Sequence, residues 1–249
     1  MNTEKWKVTF WVSRQKDKEP RVFQSFDLEV NPDEYVLDGV ERIWAFHDRS
    51  LTYRHACHHS TCGACGMLVN GVEKLTCITS IRSVTKNGGK IKVEPLRNFP
   101  IVSDLVVDMS RFYSNLEEAK APQVAPVMDA CLPYERKALA GHPEETERLV
   151  DCIECGLCIS ACPSALTSST YAGPAILAAA QFAYAQTGDL SLLHTTDGHD
   201  GAWGCHSVYE CSAICPSNVD PAWRIMDLRK RIVGHRLRHI FGKKETSSS

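Results

Sequence analysis

Four cysteines within a short stretch constrain this chain more than any other feature of it. Cys152, Cys155, Cys158 and Cys162 stand at C-x2-C-x2-C-x3-C, and Pro163 follows. A tight loop with this spacing brings three thiolates to three irons of one cubane, while the fourth cysteine, starting the next element, ligates a second cluster. A chain with one such run therefore has to carry another. It does: Cys205, Cys211 and Cys215, followed by Pro216, keep the same frame, but Val208 stands where the second cysteine would be.

The crossing pattern assigns Cys152, Cys155, Cys158 and Cys215 to one [4Fe–4S] centre. The other site receives Cys162, Cys205 and Cys211 and has no thiolate at Val208. With three thiolates a cubane readily lacks its fourth iron, so a [3Fe–4S] centre is expected there. Cluster type and net charge both set the potential, and the change in both predicts that this centre is the more oxidising of the pair.

The remaining composition agrees with metal ligation. Twelve cysteines are grouped in local runs instead of being spread like a disulfide framework, which points to ligands in a reducing compartment. A length of 249 residues allows one or two domains, and 43% hydrophobic with 23% charged residues describes an ordinary globular protein. The net charge of −2 gives no sign of a nucleic-acid partner. The start alternates like a strand from Lys5 to Val12, so no signal peptide is expected. The most apolar stretch, 172–185, is interrupted by Gln181 and falls short of the roughly 18 residues of a membrane span. Membrane contact is expected through partners.

In the N-terminal half, residues 6–12 and 22–30 read as strands, with Phe26, Leu28 and Val30 alternating with Asp27 and Glu29. Residues 35–46 change period, placing Val36, Leu37, Val40, Ile43 and Trp44 on one helical face. Strand, strand, helix and then a cysteine loop is the order of a β-grasp domain. The loop carries Cys57, Cys62 and Cys65 at C-x4-C-x2-C, with Cys77 further on, the plant-type [2Fe–2S] arrangement. Gly63, Ala64 and Gly66 beside these ligands let the backbone wrap closely. A structural zinc site is the alternative for four cysteines, but zinc sites usually come as two short C-x2-C knuckles. His55, His58 and His59 raise a Rieske reading, in which histidines replace two cysteines; four cysteines already complete the set, and the three read as exposed loop residues. Residues 91–96 close the domain as a last strand.

Ile101, Leu105, Met109, Phe112 and Leu116 predict a helix, with Ser103 as N-cap and Asp104 in its first turn. Residues 121–126 read as a linker. The expected organisation is two domains, 1–114 and 115–249. Cys131 has no cysteine or histidine at ligand spacing and reads as a small buried hydrophobe. Glu144, Glu145 and Glu147 after Pro143 read as a short helix feeding Cys152. Pro174 to Thr187, with Ile176, Leu177, Ala180, Ala183 and Tyr184 on one side and Gly188 as its stop, predicts another. Asp220 and Pro221 open a last helix with Ile225, Leu228 and Ile232 inward. That helix is basic, through Arg224, Arg229, Lys230, Arg231, Arg236, Arg238, Lys243 and Lys244 against Asp220 and Asp227. It is either a solvated face or a surface beside anionic headgroups.

A plant-type [2Fe–2S] domain followed by a two-run ferredoxin domain with one missing cysteine resembles the iron–sulfur subunit of succinate dehydrogenase/fumarate reductase. The likeness covers almost the whole chain. It includes Tyr53 and Arg54 before Cys57, the stretch from Asp104 to Met109 with Arg111, Phe112 and Tyr113, and the paired Cys-Pro runs. It implies an α+β fold, a β-grasp [2Fe–2S] ferredoxin domain joined to an all-α, bacterial-ferredoxin-like (alpha-helical ferredoxin) domain.

It further implies an electron relay within a succinate:quinone oxidoreductase. A flavoprotein subunit with FAD would interconvert succinate and fumarate, and electrons would pass through [2Fe–2S], [4Fe–4S] and [3Fe–4S] to a quinone held by membrane-anchor subunits, with haem b a possible cofactor of the anchor. This chain would have no dicarboxylate site. It would lie on the cytoplasmic face of a prokaryotic inner membrane, through those anchors. The family's quinone contacts fall on Pro163, His206 and Val208, and Arg229 takes the place of a proton-transferring lysine. Thr167 stands where ubiquinone-reducing members have tryptophan, which favours menaquinone. The competing readings are a stand-alone multi-cluster carrier, against which three differently tuned clusters argue, and the iron–sulfur part of another oxidoreductase, whose CCG repeats are missing after residue 215.

Overall fold

Alternating burial builds the first sheet. Val8, Phe10 and Val12 in β1 (Trp6–Arg14) are buried, as are Phe26, Leu28 and Val30 in β2 (Val22–Val30). The two strands pair antiparallel with Phe10 opposite Phe26, so one face of the hairpin is apolar and needs cover. α1 (Val36–Phe46) supplies it by turning Val36, Leu37, Val40 and Ile43 inward. Trp44, expected on that face, is half-exposed and lies under the Arg49 guanidinium at 4.2 Å. This structure is a computed structural model, and it describes residues 4–16, 19–119 and 152–241.

β3 (Gly66–Val69) and β4 (Val72–Leu75) form a hairpin whose turn residues Asn70 and Gly71 have φ of 52° and 85°. Two central residues with positive φ make a type I′ turn, for which Asn-Gly is the favoured pair. After the one-turn helix α2 (Ile81–Val84) comes β5 (Lys90–Glu94), which runs parallel to β1 and antiparallel to β3. The strand order β2-β1-β5-β3-β4 is that of a β-grasp sheet, with α1 packed on it.

The helix expected from Ser103 onward is not there. Ile101–Ser103 (β6) and Val106–Val107 (β7) pair as a short hairpin, and the helix, α3 (Ser110–Glu118), begins only at Ser110. Leu105, Met109, Phe112 and Leu116 are buried as the spacing implies, but Asp104 decides the backbone. It takes φ 45° with its side chain 1% exposed, and it accepts hydrogen bonds from Arg14 Nε (3.1 Å), Gln15 N (3.0 Å) and Thr52 N (2.9 Å). An aspartate expected in the first turn of a helix is satisfied here by partners distant in sequence.

The chain divides into two compact units, one of Met1–Arg111 with Ile153–Ala161, the other of Phe112–Cys152 with Cys162–Ser249. Within the first, α4 (Leu157–Ser160) is fastened by Ser160, whose hydroxyl donates to buried Glu73 (2.8 Å) and accepts from Arg97 N (2.9 Å). Asn98 Nδ2 donates to Ile159 O at 2.8 Å.

The second unit is helical: α5 (Pro163–Thr167), α6 (Pro174–Thr187), α7 (Leu190–Thr196), a 3₁₀ turn at Ala202–Gly204, α8 (Glu210–Ala213) and α9 (Pro221–Phe241). α6 stops at Gly188 as expected, but it is buried on all sides from Pro174 to Ala183 and not along one stripe. Its one polar member there, Gln181, is matched by Arg224 Nη1 (3.0 Å) and Asp227 Oδ2 (2.7 Å). In α9, Ile225, Leu228 and Ile232 point inward, and Asp220 caps the start by accepting from Trp223 N at 3.2 Å. Neither reading of the basic helix describes all its charges, because Arg224 is 2% exposed and donates to Val219 O and Gln181. The linker at 121–126, the helix expected at 144–147 and Cys131 lie outside the described residues. A sheet unit followed by a helical unit makes the chain α+β.

Candidate metal centres

The β3–β4 hairpin sets the first centre. Gly66 pairs with Leu75, so Cys65 and Thr76 continue the ladder, and Thr76 donates to Cys65 O through both N (3.2 Å) and Oγ1 (2.9 Å). Cys65 and Cys77 are thereby delivered side by side, both buried. On the other side, the loop carrying Cys57 and Cys62 turns through His58 (φ 61°), Ser60 (φ 59°) and Gly63 (φ 68°). Left-handed residues set among right-handed ones turn successive backbone N–H groups to one side. Cys57 Sγ accepts from His59 N (3.5 Å), Thr61 N (3.3 Å) and Cys62 N (3.4 Å), and Cys77 Sγ accepts from Ser60 N (3.4 Å).

The electrostatics follow. Backbone donors, the N–H of His59 foremost, bring the Cys57 thiol down to about 6. Burial, followed by its hydrogen bond with Cys65, pushes Cys77 up to about 12. A thiol held that high ionises only when a strong cation binds the sulfur in the proton's place, as a cluster iron would, with the proton released to solvent. No disulfide joins any of the eleven described cysteines. A tetrahedral zinc with bonds of about 2.3 Å would draw its sulfurs to about 3.8 Å from one another. The thiol contacts seen here run in pairs, Cys57 with Cys62 and Cys77 with Cys65.

The two cubane runs share one backbone. Glu154 and Gly156 have φ of 53° and 76°; Ser207 and Tyr209, at the matching positions, have 56° and 68°. A four-residue helix follows each, Leu157–Ser160 in one and Glu210–Ala213 in the other, and each is followed by its last cysteine, Cys162 or Cys215. Val208 is therefore the counterpart of Cys155.

Within the second unit, Cys162, Cys205 and Cys211 gather around Tyr171. Cys162 and Tyr171 share a buried cluster with Leu177, Leu193, Ile225 and Leu228, against which Cys205 packs. Burial, then the Cys162 and Cys205 charges, pushes the Cys211 thiol up to about 12. Burial, then the charges of Cys205 and Cys162, raises the Tyr171 hydroxyl well above its ordinary value. Cys205 Sγ accepts from Ser207 N at 3.4 Å. Cys152 and Cys215 pack against Ala178, Phe182 and Val219, and Cys215 Sγ accepts from Val219 N at 3.4 Å. Cys155 and Cys158 belong to the first unit, Cys158 inside α4.

Known proteins place these loops. Residues 9–114 match the model of a 2Fe-2S iron-sulfur cluster binding domain, and residues 148–219 that of a 4Fe-4S dicluster domain. The chain is 34% identical to the fumarate reductase iron-sulfur subunit of Mycobacterium tuberculosis (strain CDC 1551 / Oshkosh), covering 88% of this chain and 89% of that one. To the corresponding subunit of Haemophilus influenzae (strain ATCC 51907 / DSM 11121 / KW20 / Rd) it is 34% identical, over 83% and 84%. The chain belongs to the family of fumarate reductase iron-sulfur subunits. A chain of the Mycobacterium smegmatis Sdh1 complex in the apo form has the same fold, with a TM-score of 0.78 at 24% identity over 94% of this chain and 98% of that one.

As a member of that family the protein is an electron-transfer subunit of an oxidoreductase complex. The four positions that the family resemblance marks for quinone fall as follows. Pro163 is the first residue of α5, capped by Cys162. His206 is exposed, and its N–H donates to Ser164 Oγ at 3.3 Å. Val208 is 52% exposed. Arg229 is half-buried and spends its donors on the Cys205 loop: Nε on Ala202 O (2.9 Å), Nη1 on Ser207 Oγ (3.2 Å) and Nη2 on Cys205 O. Its charge thus holds the loop backbone.

Several of these contributors had no clear sequence signal. Tyr171 stands in no motif, and the anchoring of α4 through Ser160 depends on Glu73 and Arg97 far away in the chain. The hairpin that presents Cys65 and Cys77 did have one, the Asn70-Gly71 pair between apolar residues.

Proposed function

We propose that this chain holds [2Fe–2S] on Cys57, Cys62, Cys65 and Cys77, [4Fe–4S] on Cys152, Cys155, Cys158 and Cys215, and [3Fe–4S] on Cys162, Cys205 and Cys211. These groups would supply one-electron transfer between the FAD of a flavoprotein partner and menaquinone at a membrane anchor. The observation that carries the reading is the repeated loop: equal left-handed turns and equal helices, with Val208 in the place of Cys155. One loop then offers a thiolate that the other lacks.

The chain's own residues provide position and potential. The N–H groups aimed at Cys57 and Cys77 stabilise negative charge on sulfur, and Arg229 brings a positive charge beside Cys205. Tyr171 and the apolar side chains of α6 and α9 keep water from the three-thiolate site. The domain division at 114/115 belongs to this reading, as does a peripheral position on the cytoplasmic face of the inner membrane. No helix among the described residues is long and apolar enough to cross a membrane. Thr167, whose hydroxyl turns back onto Pro163 O (3.2 Å) and Ser164 O (3.2 Å), offers no aromatic wall and suits menaquinone.

The test is anaerobic isolation with partners attached. The expected result is a flavoprotein and membrane subunits in the complex, menaquinone bound, and iron near nine per chain, the sum of two, four and three. Cys65→Ala should abolish only the [2Fe–2S] signal, and Cys131→Ser should leave every cluster signal intact. Iron settling near four or six per chain, or a cluster lost in Cys131→Ser, rejects the ligand assignment.

A further inference from the structure

Beside the first cysteine loop, three side chains that no cluster uses converge on one point. Glu41 Oε1 lies 3.1 Å from His58 Nε2 and 3.3 Å from His55 Nδ1, and the two ring nitrogens are 3.2 Å apart. A tetrahedral ion with bonds of about 2.0–2.1 Å has ligand–ligand edges of about 3.3–3.4 Å. An octahedral one with equal bonds has edges of about 2.8–3.0 Å. The observed triangle lies nearer the tetrahedral figure. An ion about 2.05 Å from all three atoms would stand roughly 0.9 Å out of their plane, leaving a fourth position open.

A second observation concerns the carboxylate. Glu41 Oε1 is shielded from solvent, and no hydrogen-bond donor is aligned on it although two imidazole nitrogens face it. A buried acceptor in that condition is costly, and a cation removes the cost by bonding to all three atoms. Among the described residues this is the one group of three or more histidine, cysteine or acidic side chains whose ligand atoms all lie within 4.8 Å.

The ligands are also held. Glu41 rides on α1 beside Val40, and both Val40 and Ile43 are fully buried in the sheet unit. Tyr53 stacks on the His55 ring at 5.1 Å and 18°, and Trp44 meets Tyr53 edge-on at 6.4 Å. Orientation fixed by neighbours is what a metal site needs. The His55 and His58 side chains are 41% and 42% exposed, so an ion can approach from the imidazole side while Glu41 Oε1 stays covered.

We propose that Glu41, His55 and His58 form a three-ligand site for a zinc-class divalent cation, distinct from the iron–sulfur centres. Two imidazoles and one carboxylate suit zinc and its borderline neighbours and not magnesium or calcium, which take oxygen ligands. His58 follows Cys57 directly, so an ion here cross-links the cysteine loop to α1. The proposal stands apart from the cluster assignment, since none of the three ligands belongs to it.

The experiment is equilibrium dialysis of the anaerobically isolated full-length protein, with its partners, against chelator-buffered zinc, followed by metal analysis and zinc-edge X-ray absorption. One zinc per chain is expected with iron unchanged, in a nitrogen/oxygen shell at about 2.0–2.1 Å. Changing a residue that merely orients a ligand weakens metal binding about 10–100-fold, so His55→Ala and His58→Ala should each weaken it by at least about 100-fold. His59→Ala, one residue outside the triad, should retain the ion. Both histidine substitutions are at partly exposed positions, so they remain informative if Glu41→Gln fails to fold. Zinc equally retained in His55→Ala and His58→Ala, no zinc bound by the unaltered protein, or a sulfur shell at about 2.3 Å would overturn the proposal.

Discussion

Gly63 and Cys155 lie backbone to backbone: a Cβ placed on Gly63 would stand 2.8 Å from Cys155 Cα and 2.5 Å from the Ile153 carbonyl oxygen. Gly63 also has φ 68°, a conformation that L side chains avoid. The [2Fe–2S] loop and the start of the cubane run can therefore pack this closely only because Gly63 has no side chain. Gly63→Ala should force the two strands of backbone apart, at an overpacking cost of about 1–3 kcal/mol. We expect a broadened or lost reduced [2Fe–2S] EPR signal and lower [4Fe–4S] occupancy in the same protein. Two unaltered cluster signals would show that the contact is dispensable.

Val208 stands at the counterpart of Cys155 in a loop of the same backbone conformation. Val208→Cys restores the full ligand run and should capture a fourth iron. The oxidised [3Fe–4S] EPR signal should vanish, a reduced [4Fe–4S] signal should appear, and the midpoint potential should fall. For a one-electron centre each fall of about 59 mV makes reduction tenfold less favourable. Quinone reduction should slow while flavin reduction by succinate is unchanged. Persistence of the oxidised signal in iron-replete protein counts against Val208 as the missing corner.

Arg229 positions the Cys205 loop through its bonds to Ala202 O, Ser207 Oγ and Cys205 O. Arg229→Ala removes charge-assisted bonds worth about 1.5–3 kcal/mol each at most, and Ala202 O keeps only the N–H of Cys205 at 3.4 Å. The [3Fe–4S] signal should decay faster in air and shift in potential, with the [2Fe–2S] signal unaffected. Arg229→Lys should rescue only partly, because a single ammonium cannot span the three acceptors of the guanidinium fork. Full rescue by lysine would mean that charge alone matters here.

Asp104 joins the end of β1 to the segment that leads into Cys57, through Arg14, Gln15 and Thr52. Asp104→Asn turns an acceptor of several N–H groups into a side chain that presents its own donor to them. Breaking a buried charge pair costs about 3–5 kcal/mol, and the low end applies because Arg14 keeps Asp48 at 2.6 Å. A fall in thermal midpoint is expected, measured on the cluster-loaded protein. An Asp104→Asn protein as stable as the parent would show that Asp48 alone holds Arg14.

The two iron–sulfur domains were legible in the sequence because cysteine spacing is local: a loop that must wrap a cluster keeps its cysteines within a few residues of one another. The period-2 alternation of β1 and β2 and the helical periods of α1 and α9 were legible for the same reason, since burial repeats along a single element. The helix assumed from Ser103 was not, because the same apolar spacing fits a hairpin followed by a later helix. The choice fell to Asp104, which is satisfied by Arg14 and Thr52 from elsewhere in the chain. Likewise Arg224 and Arg229 read as part of a solvated face or of a surface beside anionic headgroups, but Gln181, Val219 and the Cys205 loop are brought against them. The meeting of Glu41 with His55 and His58 depends on α1 packing beside the cysteine loop. Local spacing marks where an iron–sulfur loop lies; which charge is buried, and what it faces, is decided only when distant segments fold together.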